Sequence, residues 1–306
     1  MSVDLSEVLV VGVTSRALFD LEEENAIFEH DGVRKYREYQ EKNQDVPLEM
    51  GTAFYLVKSL LELNKQANKT VVEIVVMSRN SPETGIRILK SIEKYGLDIT
   101  RLAFTGGEPM WPYMDAFGID LFLSKDEDTV QAVIDSKSNC AAAVIYAPPT
   151  AFNPSGNTVK IAFDADAVLF SEDAEVIYKT EGIDSFHKYE DEHKDEPLKE
   201  GPFAKLLMKL SKIQASLPVT VELSPLRLAI VSSRSAPAHM RVINTLKKWG
   251  VYVNEVYFLG GMSKDKVLQA FGAHIFFDDQ DVHLVSSSKV VPSGKVPYSS
   301  DSKLRM

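Results

Sequence analysis

The chain has 306 residues, of which 44% are hydrophobic and 25% charged, an ordinary composition for a folded soluble protein with room for two domains. Its formal net charge of −10 argues against a general nucleic-acid surface, because binding backbone phosphates requires clustered Lys and Arg. No apolar run approaches the roughly 18 residues that span a bilayer, and the N-terminus lacks the basic start and apolar core of a signal peptide. These features predict no membrane partner and a cytoplasmic location.

The two halves of the chain repeat each other. The segment that begins VLVVGVTSRALF at position 8 aligns with VKIAFDADAVLF at position 159, and VEIVVM at position 72 aligns with LRLAIV at position 226. Glycine and proline pairs recur 150 positions apart, namely Gly32 with Gly182, Pro47 with Pro197 and Gly51 with Gly201. This period is far longer than the roughly 20 to 50 residues of a solenoid repeat. We therefore predict a duplicated domain, with units at 1–150 and 151–306.

Short β-branched runs alternate with amphipathic segments in each unit, which predicts an α/β fold of two tandem parallel-sheet domains resembling the Rossmann type. Cys140 can form no intramolecular disulfide and lies in an apolar run, so we expect a buried thiol. The acidic stretch at 171–200 is either a small cap or a solvated excursion, and the polar tail from Ser286 either wraps or frays. In the second unit we predict strands near 159–163, 226–231, 255–259 and 274–277, and helices near 202–215, 238–249 and 264–271.

Polar residues follow all four predicted strands of the second unit. Asp164 and Asp166 come after the first strand, Ser232 to Arg234 after the second, Lys264 after the third, and Asp278 and Asp279 after the fourth. Ligands of parallel sheets collect at the carboxyl ends of the strands, so we expect these side chains to converge. Each motif alone is weak, because Asp-x-Asp and Asp-Asp pairs are common in turns and helix caps. Their ordered combination predicts a catalytic site.

The residue types at these strand ends suit phosphoryl transfer. Asp164 can attack phosphorus to form an aspartyl-phosphate, and Asp166 can protonate the leaving oxygen and later accept a proton from water. Ser232 and Lys264 can bind the phosphoryl oxygens, with Ser233 and Arg234 as further substrate-binding candidates. Carboxylate and carbonyl oxygens are the ligands that Mg²⁺ prefers, and the predicted ligands are Asp164, Asp278, Asp279 and the backbone carbonyl of Asp166.

The motifs resemble those of the haloacid-dehalogenase-like phosphohydrolases and, over nearly the whole chain, those of the cytosolic 5′-nucleotidase I family. The similar segments are TSRALFDLEEENAIFEHDGVRKYREYQ, AFTGGEP, IAFDADAVLFSEDAE, EHKDEPLKEGP, VSSRSAP, LKKWG and HIFFDDQDVH. The resemblance implies Mg²⁺-dependent hydrolysis of nucleoside 5′-monophosphates, AMP among them. Ala165 departs from the family, which usually has glycine between the two aspartates.

The first unit lacks the acidic motif. Aligned on the Leu-Phe pair shared by both units, Val13 takes the place of Asp164, Ser15 of Asp166, Met110 of Lys264, Ser124 of Asp278 and Lys125 of Asp279. Residues 78–79 align with 233–234, and residues 106–107 with 260–261. We therefore expect no hydrolysis by the first unit. It either has a purely structural role or contributes to substrate binding or a nucleotide effector site, with four candidate residues: Arg16, Arg79, Asn80 and Thr105.

Three other functions fit parts of the pattern. The same motifs would serve a phosphatase or phosphotransferase acting on another small phosphomonoester. A non-catalytic nucleotide-binding or assembly protein would not need the intact Asp, Lys and Asp-Asp set. Copies of the chain are also candidate partners of one another, as a homo-oligomer. An oxidoreductase that uses a dinucleotide fits the sequence least well, because the chain lacks the Gly-x-Gly-x-x-Gly turn of such proteins.

Overall fold

The computed structural model describes residues 5, 7–150, 152, 154 and 156–305. The β-branched runs form the strands β1 (Leu9–Thr14), β2 (Phe19–Asp20), β3 (Glu49–Met50), β4 (Val72–Ser78), β5 (Arg101–Phe104), β6 (Leu121–Ser124), β7 (Ala141–Ile145), β8 (Val159–Phe163), β9 (Leu226–Ser232), β10 (Glu255–Phe258), β11 (Ile275–Asp278) and β12 (Ser293–Lys295). The buried pattern of the long strands is nearly continuous, as expected for a parallel sheet covered on both faces.

Helices connect these strands. They are α1 (Ser15–Leu18), α2 (Glu22–Lys42), α3 (Phe54–Ala67), α4 (Ile86–Lys94), α5 (Met114–Phe117), α6 (Glu127–Asp135), α7 (Asp173–Glu181), α8 (Ile183–Glu192), α9 (Ala204–Ser216), α10 (His239–Trp249), α11 (Asp265–Phe271) and α12 (Asp281–Ser287). Most strand-to-strand crossovers therefore contain a helix, which is how parallel strands are joined. Within the described part of the chain, no helix is both long and apolar enough to cross a membrane.

Ten of the strands form one continuous sheet in the order β10-β9-β8-β11-β12-β7-β6-β1-β4-β5. The two halves of this sheet have equivalent strand orders, β7-β6-β1-β4-β5 and β12-β11-β8-β9-β10. Within each half every neighbouring pair is parallel, whereas β12 pairs with β7 in the antiparallel sense, Gly294 lying opposite Ile145. The predicted α/β fold with parallel strands is confirmed. The antiparallel junction places the strand carboxyl ends of the two halves at opposite ends of the sheet.

The two halves share one hydrophobic core. Helix α3 of the first half packs against β8 of the second, and α9 of the second half packs against β1 of the first. At the same junction Lys209 on α9 lies 2.7 Å from an Asp120 carboxylate oxygen. The predicted boundary between the units falls at residue 151, which lies outside the described residues.

The acidic stretch at 171–200 forms the helices α7 and α8, which meet at Gly182. Gly182 has φ +87° and ψ 178°, a conformation that a side chain strongly disfavours. Gly32 breaks α2 at the matching point with φ +82°. Glu190 on α8 is fully buried, so α8 packs on the body of the second half and is no solvated excursion.

The polar tail wraps along the sheet. It forms β12 at the junction of the halves, and beyond it the Ser300 backbone N–H donates to Asp135 of the first half at 2.8 Å. The tail also brings Tyr298 to the acidic strand ends described next. Cys140 is buried, as predicted.

Candidate active site

Three predicted residues of the second half form a buried, charged centre at the strand carboxyl ends. Asp164 follows β8, Asp278 ends β11, and Lys264 precedes α11 with only 1% of its surface exposed. Lys264 Nζ lies 2.8 Å from Asp164 Oδ1 and donates to Asp278 Oδ2 at 2.7 Å. Gln280 N–H donates to the other Asp278 oxygen at 2.8 Å, which fixes this carboxylate further. The lysine thus bridges two carboxylates that come from different strands.

The charges of this centre influence one another strongly. Burial raises the pKa of Asp164 to about 6, with the negative charge of Asp278 adding to the rise and Lys264 opposing it. Burial alone would lower the pKa of Lys264, but the charges of Asp164 and Asp278 outweigh it and raise that pKa. Burial and the same two carboxylates raise the pKa of Asp279 well above its usual value. A cation added here would favour the ionised forms of Asp164 and Asp279.

The carboxylate group is suited to a metal ion. Asp164, Asp278 and Asp279 each offer an oxygen within 4.8 Å of the others. Tyr298 donates to Asp279 Oδ2, whereas the buried Asp279 Oδ1 has no hydrogen-bond partner among the described residues. A buried carboxylate oxygen without a partner is costly, and a divalent cation would satisfy it. The all-oxygen donor set fits Mg²⁺, the predicted cofactor.

The Asp166 carboxylate is outside the group formed by Asp164, Asp278 and Asp279 and is held by Arg234. Arg234 Nε donates to Asp166 Oδ2 at 2.8 Å, and Nη2 donates to Oδ1 at 2.6 Å. The Arg234 Nη1 atom also donates to Glu190 and to the Ala238 carbonyl. Asp166 lies in the turn Ala165–Leu169, where Ala167 has φ +57°. The guanidinium of Arg234 is therefore occupied by protein groups.

Ser232 and Ser233 lie at the end of β9 with different exposure. Ser232 is 1% exposed, and its Oγ accepts the Arg234 backbone N–H at 3.2 Å. Ser233 is exposed. The second half thus brings Asp164, Lys264, Asp278 and Asp279 into direct contact range, with Ser232 and the Asp166–Arg234 pair at the neighbouring strand end.

Sequence reasoning missed several contributors to this site. Glu190 accepts hydrogen bonds from both Arg234 and Arg241, the latter at 2.8 Å. Gln280 Nε2 donates to Glu175 Oε1 on α7 at 3.1 Å, and Tyr298 comes from the tail. Glu175 and Glu190 lie in the acidic stretch. The sequence does not distinguish these two glutamates, whose side chains point inward, from the many exposed acidic residues around them. Nothing in the sequence around Tyr298 signals its contact with Asp279.

The pairing registers of the strands correct the alignment of the two halves at two places. Val13 pairs with Val76 as Phe163 pairs with Ile230, so Thr14, and not Val13, occupies the place of Asp164. Both residues have extended backbones directly before a turn, and the turn after Asp164 is one residue longer. This extra residue shifted the alignment on the Leu-Phe pair. The predicted pairing of Ser15 with Asp166 rests on the same shifted alignment.

The second correction concerns the loop after β4. Asn80 N–H donates to Ser78 Oγ as Arg234 N–H donates to Ser232 Oγ, both at 3.2 Å. Ser78 therefore matches Ser232, Arg79 matches Ser233, and Asn80 matches Arg234, one position from the predicted pairing. The pairs formed by Ser124 with Asp278 and Lys125 with Asp279 agree with the ends of β6 and β11.

The predicted residues of the first half lie away from Asp164. Arg16, Arg79 and Asn80 line a cavity of about 630 Å³ at the carboxyl ends of β1, β4 and β6. Arg79 donates to Thr129 at 2.9 Å, and Asn80 accepts a hydrogen bond from Tyr36 at 2.7 Å. Thr105 lies after β5 and donates to the Glu108 carbonyl. Because the junction of the halves is antiparallel, this cavity and Asp164 lie at opposite ends of the sheet.

Comparison with known proteins found one matching family and a curated relative. The family model described as 5′-nucleotidase matches residues 1–303. Human cytosolic 5′-nucleotidase 1B is 33% identical over 291 residues, which cover 92% of this chain and 47% of the human protein, so the chain spans about half the length of this curated relative. No solved structure matches the chain. The chain belongs to the 5′-nucleotidase family, and its resemblance to the cytosolic 5′-nucleotidase I group is confirmed.

Proposed function

We propose that the second half hydrolyses the phosphomonoester bond of nucleoside 5′-monophosphates in a Mg²⁺-dependent reaction. The observation that carries this proposal is the bridge from Lys264 to Asp164 and Asp278, with a carboxylate oxygen of Asp279 within 4.8 Å of theirs. This arrangement combines a nucleophile, a fixed positive charge and a set of hard oxygen ligands. The family and the name of the human relative support the nucleotide as substrate.

Asp164 is the nucleophile in this mechanism. Lys264 Nζ, at 2.8 Å, opposes the effect of burial and favours the ionised carboxylate. An Asp164 oxygen attacks phosphorus, the bond from phosphorus to the ribose 5′ oxygen breaks, and an aspartyl-phosphate forms. Lys264 and Ser232 stabilise the phosphoryl oxygens during this transfer.

Asp166 is the general acid and base. It gives a proton to the departing 5′ oxygen, which leaves as the nucleoside hydroxyl. A water molecule then attacks the phosphorus of the aspartyl-phosphate, Asp166 accepts its proton, and inorganic phosphate leaves with Asp164 restored. Both carboxylate oxygens of Asp166 accept hydrogen bonds from Arg234, so Asp166 must leave this pair before it can give a proton to the 5′ oxygen.

Asp164, Asp278 and Asp279 would hold the Mg²⁺ ion, with the backbone carbonyl of Asp166 as a further proposed ligand. When bound, the ion supplies positive charge that offsets the charge of the phosphoryl group. The helices α7 and α8 are proposed to act as the cap over this centre, because Glu175 and Glu190 reach it from that segment. We further propose a cytoplasmic location, in keeping with the name of the human relative.

Phosphate release from a panel of nucleotides and other small phosphomonoesters tests the proposal. We expect Mg²⁺-dependent release from nucleoside 5′-monophosphates and a loss of at least about 1,000-fold in kcat for Asp164→Asn, because the nucleophile is removed. Asp173→Asn is the matched control, since Asp173 is half-exposed and pairs with Lys199. Full activity of Asp164→Asn would contradict the mechanism, and equal activity on all phosphomonoesters would contradict the substrate class.

A further inference from the structure

The cavity of the first half occupies the place that the catalytic centre has in the second half. It lies at the carboxyl ends of β1, β4 and β6, which match β8, β9 and β11. Its volume of about 630 Å³ is within the range of pockets that bind small molecules, roughly 300 to 1,000 Å³. The duplication has therefore kept a pocket where the catalytic residues have been replaced.

The replacements reverse the charge of the pocket floor. Asp164, Lys264, Asp278 and Asp279 carry one positive and three negative charges, a sum of −2. The matching Thr14, Met110, Ser124 and Lys125 carry one positive charge, and all four line the cavity. An anion at the centre of the second half requires a metal ion to offset three carboxylates. The floor of the first-half cavity has no carboxylate at the matching positions. It also presents no carboxylate at the position of the nucleophile.

Two buried polar atoms of this pocket lack partners in the described structure. Thr14 is 6% exposed, and its Oγ1 makes no hydrogen bond there. Arg16 Nε is also buried without a partner. Buried polar atoms are nearly always satisfied, so such atoms in the lining of a cavity indicate a missing hydrogen-bonding ligand. Thr14 can donate its hydroxyl proton, and Arg16 can donate only, which together favour an anionic acceptor.

The acidic residues in the lining are largely engaged elsewhere. Glu24 forms a buried ion pair with Arg87, and Asp126 accepts the Thr129 backbone N–H at 2.7 Å. Glu22 bridges Arg16 and Lys125 from outside the lining, at 3.2 Å and 2.8 Å. This bridge holds the two cations side by side at the pocket. Arg16, Lys125 and Glu22 together carry one net positive charge at the cavity.

The wall formed by α2 adds an apolar and aromatic surface. Phe28 and Tyr36 line the cavity with Leu21 and Val33, and the two rings meet edge to face at 5.8 Å. Planar ring systems bind well against such aromatic side chains. We propose that the first half binds, without a metal ion and without hydrolysing it, a phosphate ester that carries a planar ring, which is the chemistry of a nucleotide.

Calorimetric titration of the full chain with AMP and with inorganic phosphate, both in excess EDTA, tests this site. We expect AMP to bind at a single site, and phosphate to compete for it more weakly. Thr14→Val preserves shape and removes the unpartnered hydroxyl, so affinity should fall about threefold while the melting temperature is maintained. Lys125→Met should lower affinity about tenfold, because it removes the charge on the floor.

Two controls locate the binding. Ser232→Ala alters the matching strand end of the second half and should leave AMP affinity in EDTA unchanged. Lys137→Met removes an exposed lysine of the first half outside the cavity and should also have no effect. Absence of AMP binding in EDTA, binding that requires Mg²⁺, or unchanged affinity in both Thr14→Val and Lys125→Met would overturn the proposal. These measurements involve no turnover, so the site and the proposed hydrolysis can fail independently.

Discussion

Asp166 is fixed by two hydrogen bonds from Arg234, at 2.8 Å and 2.6 Å, while the carboxylates suited to a metal lie apart from it. The two aspartates of the Asp-x-Asp motif therefore have different partners. Asp164 contacts Lys264 and lies near Asp278 and Asp279, whereas the Asp166 carboxylate is bound by Arg234. The motif predicts two acids one residue apart, and only the tertiary structure shows their different surroundings.

We predict that Asp166→Asn affects substrates according to their leaving groups. Release of a nucleoside requires protonation of an alkoxide, so nucleotide hydrolysis should fall by about 100-fold to 10,000-fold. The first turnover of p-nitrophenyl phosphate should be much less affected, because nitrophenolate leaves without a proton. Rapid mixing with detection of p-nitrophenolate measures this first turnover. Equal losses for both substrates would contradict the general-acid role of Asp166.

His274 provides a residue-level prediction about stability. Its Nδ1 accepts the Lys160 backbone N–H at 3.2 Å, and burial lowers its pKa to about 4. Because the unfolded chain takes up a proton here at about pH 6.5, stability is complete above that pH and falls as the pH drops towards 4. His274→Asn keeps an acceptor and should remove up to about 3 kcal/mol of this pH dependence.

Urea unfolding at pH 7, 5.5 and 4.5 measures the effect of His274→Asn. His30→Asn, at an exposed position, is the matched control and should leave the pH dependence of the unfolding free energy unchanged. If the free energy of unfolding depends on pH equally in His274→Asn and in the unaltered chain, His274 is not the titrating group.

At the level of elements, α8 is held to the second half by a buried charge network. Glu190 is fully buried and accepts hydrogen bonds from Arg234 and Arg241, and Arg241 Nε donates to the Glu196 carbonyl at 3.0 Å. The rings of Phe186 and Tyr189 on the same helix lie about 5.3 Å from the two guanidinium groups. Because Arg234 also holds Asp166, the helix and the general acid are connected through one side chain.

We predict that Glu190→Gln destabilises the protein by about 2 to 4 kcal/mol, because two buried arginines lose a shared countercharge. Glu192→Gln on the same helix is the control. Glu192 is exposed, and its carboxylate lies as far as 3.9 Å from the Lys188 amine. Its substitution should therefore cost less than about 0.5 kcal/mol. The free energy of unfolding from urea titration measures both, and equal values for the two variants would refute the role of the network.

The elements of the second half were largely predictable from sequence. The strands at 159–163, 226–232, 255–258 and 275–278 and the helices at 204–216, 239–249 and 265–271 lie within about two residues of the predicted ranges. Their strong apolar periodicity explains this agreement. Helices α7 and α8 were not predicted because they expose most of their charges, and β12 because three residues carry too little pattern.

At the level of the whole molecule, the sheet joins both halves through β12 and β7, and α3 and α9 each pack across the junction. We therefore predict one cooperative unfolding transition for both halves. The two tryptophans allow a direct measurement, since Trp111 lies in the first half and Trp249 in the second. Thermal melts of Trp111→Phe and Trp249→Phe are each followed by the fluorescence of the remaining tryptophan. Their midpoints should coincide once the change in overall melting temperature caused by each substitution, measured by circular dichroism, is subtracted. Midpoints that differ by more than about 5 °C would indicate that the halves unfold separately.

The sequence by itself determined the duplication, the α/β class and the positions of the acidic and basic residues at strand ends. Those features depend on local periodicity and on the spacing of motifs, which a single chain displays directly. Only the tertiary structure decided that the strands join in one sheet with an antiparallel junction, that Arg234 holds Asp166, and that Tyr298 reaches Asp279. These contacts join residues far apart in the chain, and the pairing of two strands at a junction leaves no periodic signal in either of them. The same junction placed Arg16 and Arg79 in a pocket of their own, at the end of the sheet opposite to Asp164.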